Sequence, residues 1–299
     1  MGEVRLPFIQ PRDAGQSPIF EKIAILGLGL IGGSIALAVR EIWPKGLVIA
    51  VDRKDVLEQA MVRHAIDVAA DEPYVISEAD LVILAAPVRQ NIELLAQLEE
   101  LIEKPAVITD VGSTKRATVD AARALPPRFT FIGGHPMGGA ARGGFESARS
   151  DLFKRRPWIF TPHSEASGDA LERLYAFASG LGAVPQTMGV AEHDAVLARI
   201  SHLPQLTASV LMQVVGSKAG DRLTLAGRGL VDTTRLAASP AAIWQDIAAT
   251  NSDEIRAALD DLIARLTELR EGLDDERLID RIFSEAARWR TKLMEGREL

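Results

Sequence analysis

Three glycines and one carboxylate are the first residues in this 299-residue sequence whose types and spacing point to chemistry: Gly27, Gly29, Gly32 and Asp52. The run Lys22-Ile-Ala-Ile-Leu-Gly27-Leu-Gly29-Leu30-Ile31-Gly32 carries G-x-G-x-x-G directly after a β-branched apolar segment and at the opening of a helical one. Glycines in isolation often only shape turns. In this context Gly27 permits a tight turn, Gly29 lets backbone approach a pyrophosphate, and Gly32 allows close packing of helix on strand. The helix N-terminus at Leu30 and Ile31 supplies N–H donors to the anion. Asp52 closes the second predicted strand, where an acidic side chain reaches the ribose hydroxyls of a dinucleotide. A carboxylate there repels a 2′-phosphate and so favours NAD, while Arg53 beside it offsets part of that repulsion and leaves NADP possible. Ala85 and Pro87 end another predicted strand and Ser113 follows the next, at the strand ends where ligands sit in open α/β sheets.

Three further clusters hold residue types suited to acting on a substrate beside a nicotinamide. They are Asp110-Val-Gly-Ser113-Thr-Lys115, then Gly133-Gly-His135-Pro-Met-Gly-Gly139, then His193-Asp194 and Ser201-His202-Leu-Pro-Gln205 together with Asp232-Thr-Thr-Arg235. His135 follows a predicted strand in a glycine-rich loop, which exposes an imidazole whose ordinary pKa of ~6.5 suits proton transfer near neutrality. His193 reads equally well as a helix-surface residue, and His64 and His163 have no such context.

These residues need a scaffold, and the periodicity supplies one. From Lys22 to Met188 short β-branched runs alternate with helical patterns, as in a parallel sheet with crossover helices. Strands are predicted at Lys22–Leu26, Leu47–Asp52, Asp80–Ala85, Ala106–Val111, Phe129–Ile132, Trp158–Thr161 and Ala183–Thr187, with helices at Ser34–Ile42, Asp55–Ala65, Asn91–Ile102 and Glu165–Gly180. After Met188 the strand signal stops. Val190–Val215 is helical throughout, and Ile255, Leu259, Leu262, Leu266 and Leu269 form an apolar stripe at steps of three and four, as do Leu278, Ile282, Phe283, Ala286 and Trp289. The expected organisation is an irregular arm at 1–20, an α/β Rossmann-type domain at 21–188 and an all-α domain at 189–299. Several long stripes in a small helical domain leave apolar surface for a partner chain, so a homodimer through that domain is expected.

Composition sets outer bounds. The chain is 47% hydrophobic and 25% charged, the balance of a water-soluble globular protein. Its net charge of −7 comes without any basic block, which argues against a nucleic-acid partner. It has no cysteine, so a disulfide framework, a thiolate metal site and a cysteine nucleophile are excluded, and no metal is expected. The N-terminal arm has three prolines and no long apolar run, unlike a signal peptide. No stretch of ~18 consecutive apolar residues occurs, so no membrane span is predicted and the cytoplasm is the default location.

Taken together, the motifs resemble those of the prephenate/arogenate dehydrogenase family, over nearly the whole chain from Lys22 to the last helices. The matching pieces are GLGLIGGS at Gly27–Ser34, DVGSTK at Asp110–Lys115, GGHPMGG at Gly133–Gly139, SHLP at Ser201–Pro204 and DTTRLAASPAAIW at Asp232–Trp244. The resemblance implies an NAD-dependent oxidative decarboxylation in tyrosine biosynthesis, driven by aromatisation of the ring. It implies that His135 takes the proton of the ring hydroxyl and that Ser113 positions that hydroxyl and the nicotinamide. It further implies that Arg235 holds a substrate carboxylate and that His202 contacts the substrate's side chain, in a cleft between the domains.

Two departures stand out. Gln205 occupies a substrate-binding position where many relatives carry a second histidine. Ala140-Ala141-Arg142 stands where many have an acidic residue. The chain's end at Leu299 leaves no room for a fused regulatory or mutase domain, so feedback by tyrosine is expected at or near the active site. Other dehydrogenases that join such a domain to a helical one, of the β-hydroxyacid and pyrroline-carboxylate types, place a key lysine or hydroxyl on the helical domain. A non-catalytic NAD(H) sensor is the remaining alternative, and the set of His135, Ser113 and Arg235 speaks against it.

Overall fold

The computed structural model describes residues 17–140, 142–162 and 168–295. Residues 1–16 of the arm, Ala141, His163, and Glu165, where the sequence places the start of a helix, lie outside the described residues.

The first half alternates as its periodicity predicts: β1 (Lys22–Leu26), α1 (Leu30–Ile42), β2 (Leu47–Val51), α2 (Lys54–Val62), β3 (Val68–Ala70), β4 (Leu81–Leu84), α3 (Val88–Leu101), β5 (Ala106–Asp110), α4 (Arg116–Ala122), β6 (Phe129–Pro136), β7 (Pro157–Thr161), α5 (Gly168–Gly180) and β8 (Val184–Thr187). They form one eight-stranded sheet in the order β3-β2-β1-β4-β5-β6-β7-β8. Central strands are apolar on both faces because both faces are covered. Ile23 and Ile25 of β1 pack with Ile35 and Val39 of α1 and Phe177 of α5. Ala24 and Leu26 point the other way, toward Leu95 and Leu98 of α3 and Val119 of α4.

Strand order reverses between β1 and β4, and there a crevice opens over the carboxyl ends of the strands. Leu26 pairs with Val51 on one side and Leu84 on the other, so the residues that follow, Gly27, Asp52 and Ala85, emerge at one level.

Two features depart from the sequence expectation, an added parallel edge strand and one antiparallel strand. β3, a three-residue edge strand, was too short to register as a pattern. β7 runs antiparallel to β6, with His135 opposite Ile159. Within the described part of 137–156 there is only a 3-10 turn, Phe145–Ser147, and no helix to carry the chain back for a parallel return.

The second half is helical: α6 (Val190–Leu197), a π-helical turn at Ala198–His202, α7 (Leu203–Ala219), α8 (Arg228–Thr233), α9 (Ala241–Thr250), α10 (Ser252–Glu271) and α11 (Glu276–Glu295). The π-turn interrupts the single long helix implied by Val190–Val215. Pro204 lacks the N–H that would bond a carbonyl one turn back, so the α-helical ladder breaks there. The buried core is small, with Ala198, Ile247 and Ile255 at its centre. Beyond Leu259 the apolar stripes leave it: Leu266, Phe283 and Trp289 are all more than half exposed, and α11 buries no residue. Among the described residues no helix is long and apolar enough to cross a membrane.

Candidate active site at the domain seam

The glycine motif separates into two roles when each glycine is tested for room. Gly27 has φ +100°, and a Cβ there would lie 2.7 Å from the Ala85–Ala86 backbone. At Gly32 a Cβ would lie 2.0 Å from the Gly27 carbonyl oxygen. Both are therefore required by the protein's own packing. Gly29, the N-cap of α1, has ordinary φ, and a Cβ added there would meet nothing within 4 Å. The backbone faces open space in front of the unpaired N–H groups of α1, an arrangement that fits a bound pyrophosphate. Asp52 is held at the rim by N–H groups of Leu28 at 2.5 Å and Arg53 at 2.7 Å, with the carboxylate still able to accept from hydroxyls. The Arg53 guanidinium is exposed and pairs with Asp55 at 3.3 Å. Asn91 locks the turn at Ala85–Pro87, accepting from the Ala86 N–H at 3.1 Å and donating to the Leu84 carbonyl at 3.2 Å. Ser113 lies half-buried just past β5.

His135 is not on an exposed loop. β6 continues through it to Pro136, and the residue is only 8% exposed, because antiparallel pairing with β7 extends the strand. Its Nδ1 lies 2.9 Å from Nε2 of His193. His193 is not on a helix surface either: it is fully buried on α6, with Nδ1 2.8 Å from Oδ1 of Asp194. Asp194 in turn accepts from the backbone N–H groups of Lys115 at 2.8 Å and Arg116 at 2.9 Å. Burial favours protonation of the Asp194 carboxyl, but hydrogen bonds from His193, Arg116 and Lys115 outweigh it and hold its pKa below the usual carboxylate range. Burial, reinforced by neighbouring His193 and Lys115, pushes His135 well below the ordinary histidine value, and burial also lowers His193. No side-chain hydrogen bond is made by Nε2 of His135 among the described residues, and it is not one of the fully enclosed, unpartnered atoms. Nε2 is thus the free, basic end of this imidazole.

His202 approaches from the π-turn. Only 1% exposed, it packs edge-on against Trp244 and lies 3.4 Å, through Nδ1, from Nδ2 of Asn251. Its Nε2 is buried with no partner. Burial drops its pKa to about 4, so the ring is neutral at pH 7. Gln205 is also buried, but its amide is engaged: Nε2 donates to the Leu236 carbonyl at 2.7 Å and Oε1 accepts from Ser239 at 3.1 Å. The residue braces the 3-10 turn Arg235–Ala238 instead of offering a free amide to a substrate. Arg235 itself is exposed and makes no ion pair or hydrogen bond through its side chain among the described residues, Asp232 included.

The seam is fastened by side chains from both halves. Arg116 bridges Asp194, Asn251 and Asp253; Arg89 meets Asp246 at 2.6 Å; Thr114 meets Thr250 at 2.7 Å. Sequence reading missed Arg116 and Asn251 as site elements, and it placed Asp110, Lys115 and Asp194 in suitable clusters without giving any of them a role. The adjacency of His193 and Asp194 was the available signal. Asn251 carried a misleading one: it precedes α10 like an N-cap yet makes no capping bond there.

Two family models match, one described as the nucleotide-binding domain of prephenate dehydrogenase, over residues 35–186, and one as its dimerization domain, over 190–284. The chain belongs to the prephenate dehydrogenase family. Prephenate dehydrogenase of Bacillus subtilis is 38% identical over 265 residues, covering 86% of this chain and 71% of that protein. Cyclohexadienyl dehydrogenase of Zymomonas mobilis is 32% identical over 258 residues, covering 84% and 88%. Among solved structures, prephenate dehydrogenase from A. aeolicus in complex with hydroxyphenyl propionate and NAD+ superposes with a TM-score of 0.84 at 27% identity, covering 91% of this chain and 98% of that one. Arogenate dehydrogenase of Synechocystis gives 0.77 at 29% identity, covering 91% and 99%. Family membership accords with the α/β nucleotide-binding half and the helical half seen here.

Proposed function

We propose that this chain catalyses oxidative decarboxylation of prephenate, arogenate or both in tyrosine biosynthesis, with NAD as the oxidant. The observation that carries the reading is the unbonded Nε2 of His135, set at the carboxyl end of β6 beside the crevice whose Gly29 backbone faces open space. Gly29, Leu30 and Ile31 hold the pyrophosphate on the turn that Gly27 and Gly32 shape, Asp52 holds the ribose, and Arg53, Ala85, Pro87 and Ser113 line the remainder. Bound there, NAD+ supplies a hydride acceptor for the carbon bearing the ring hydroxyl. His135 takes the hydroxyl proton on Nε2 as the carbonyl forms. The ring carboxylate then departs as carbon dioxide, its bonding pair completing the aromatic ring. Ser113 orients the hydroxyl. Arg235, with no competing partner, meets a carboxylate, for which its planar guanidinium is suited. His202 contacts the side chain, and Gln205 acts through the Arg235 turn.

The division into 21–188 and 189–299, a homodimer closed over the exposed faces of α10 and α11, and a cytoplasmic location belong to the same reading. The dimerization-domain match and exposed Leu266, Phe283 and Trp289 support the dimer; the lack of cysteine agrees with a reducing compartment. Steady-state assays of NADH formation with each substrate and with NAD or NADP test the proposal. Turnover of at least one substrate is expected; failure of both, with a folded protein that binds NAD, would overturn it.

A further inference from the structure

Arg116 can only donate hydrogen bonds. Its guanidinium lies 2.8 Å from Oδ1 of Asn251, which turns the amide nitrogen of Asn251 the other way, to donate to the Asp194 carbonyl at 2.9 Å and to face Nδ1 of His202 at 3.4 Å. A donor facing Nδ1 makes that atom the acceptor, so a neutral His202 carries its proton on the buried, unpartnered Nε2. The second branch runs through Asp194, whose ionised carboxylate only accepts. It therefore meets an N–H at Nδ1 of His193, and a neutral His193 presents a lone pair at Nε2. That lone pair meets Nδ1 of His135, which must supply the proton. His135 is left with its own lone pair on Nε2.

We propose that Asp194, His193 and Asn251 are positioning residues that set His135 and His202 in opposite tautomers, an acceptor at Nε2 of the first and a donor at Nε2 of the second. The inference rests on the reading of His135 as the base. The two rings then serve two oxygens of one substrate, a hydroxyl that loses its proton and a carbonyl or carboxylate oxygen that receives a hydrogen bond. The neutral state that this assignment requires agrees with the lowered pKa of all three histidines. The titratable groups facing His135 are His193, Lys115 and His202, and those facing His202 are Asp194 and His193. Both branches start from α4 and its preceding loop, so docking of the helical half onto that segment sets both rings at once.

Imidazole nitrogen NMR of the full-length protein near neutral pH, without substrate or cofactor, reads each tautomer directly. We expect a protonated Nδ1 on His135 and a protonated Nε2 on His202. His193→Leu removes the acceptor and should let His135 populate both tautomers, with kcat reduced by ~10²-fold and the affinity for NAD unchanged. His193→Gln, whose amide both accepts and donates, should restore most of both signals. Asn251→Asp places an acceptor against His202 and should move its proton to Nδ1. The opposite tautomer on either ring of the wild-type protein overturns the proposal, as do unchanged tautomers in folded His193→Leu and Asn251→Asp. Should a variant fail to fold, the wild-type spectrum alone decides. Because the spectra need no turnover, failure here is distinct from failure of the substrate assays.

Discussion

Lys115 and Asp110 form an ion pair sealed completely beneath the strand that carries His135. The Lys115 ammonium also donates to the Gly134 carbonyl at 2.7 Å, while Asp110 accepts from the N–H groups of Gly134 at 3.1 Å and Gly112 at 2.9 Å. The pair thereby holds both backbone groups of the residue next to His135, the proposed base. Removing one partner strands a buried charge, at a cost of ~3–5 kcal/mol. Lys115→Met is therefore expected to lose that much in urea unfolding at fixed protein concentration, and Lys115→Met/Asp110→Asn to recover part of it. Wild-type stability of the single variant would show the pair to be dispensable.

His135→Asn removes the base while keeping a polar side chain on β6. Turnover should fall by ~10²- to 10⁴-fold, the usual contribution of a positioned base, with NAD binding little altered. Calorimetric titration with NAD alongside steady-state kinetics checks both halves.

The pH dependence follows from burial. His135 acts deprotonated and its pKa is well below the ordinary ~6.5, so turnover should stay level as pH falls through 6.5 instead of halving there. Stability behaves differently. His202 is neutral when folded down to about pH 4, whereas in the unfolded chain it protonates near ~6.5. The unfolded state binds more protons in that window, so stability present above 6.5 is lost as pH falls toward 4. Urea midpoints across this range should decline, and His202→Phe should flatten the decline. An activity limb at 6.5 would place His135 in a more solvated setting than this.

Arg235→Gln separates a substrate anchor from a structural ion pair. Loss of a charge that holds a desolvated carboxylate costs ~2–5 kcal/mol. The expected outcome is a large rise in KM for prephenate or arogenate, with NAD affinity and melting temperature almost unchanged, since no Asp232 partner is lost. Unaltered KM for both substrates would remove Arg235 from the site.

Asp52 should make NAD the better cofactor by kcat/KM. Hydrogen bonds to a charged group contribute ~1.5–3 kcal/mol, so Asp52→Ser should narrow the preference by ~10- to 100-fold. A wild-type preference for NADP would mean that Arg53 outweighs its neighbour despite its pairing with Asp55.

Local spacing alone determined the halves of this molecule and its cofactor crevice. A strand, a glycine turn and a helix are built from contacts within a few residues, so Gly27, Gly29, Gly32 and Asp52 were legible from their order, and the alternation of apolar runs gave the two-layered covering of the sheet. Helical stripes in the second half were legible for the same reason, including that they exceed what one chain can bury. Tertiary structure decided the rest. Whether β7 runs with or against β6 depends on a connection with no periodic signal, and that choice is what makes His135 a buried strand residue instead of a loop imidazole. His193 lies 58 residues from His135, Asn251 57 from Asp194, and Asp194 79 from Lys115 along the chain. Their meeting depends on how the helical half docks on Lys115 and Arg116. Proton placement on a histidine is set by what faces each ring nitrogen, and a linear pattern of residues carries no record of that.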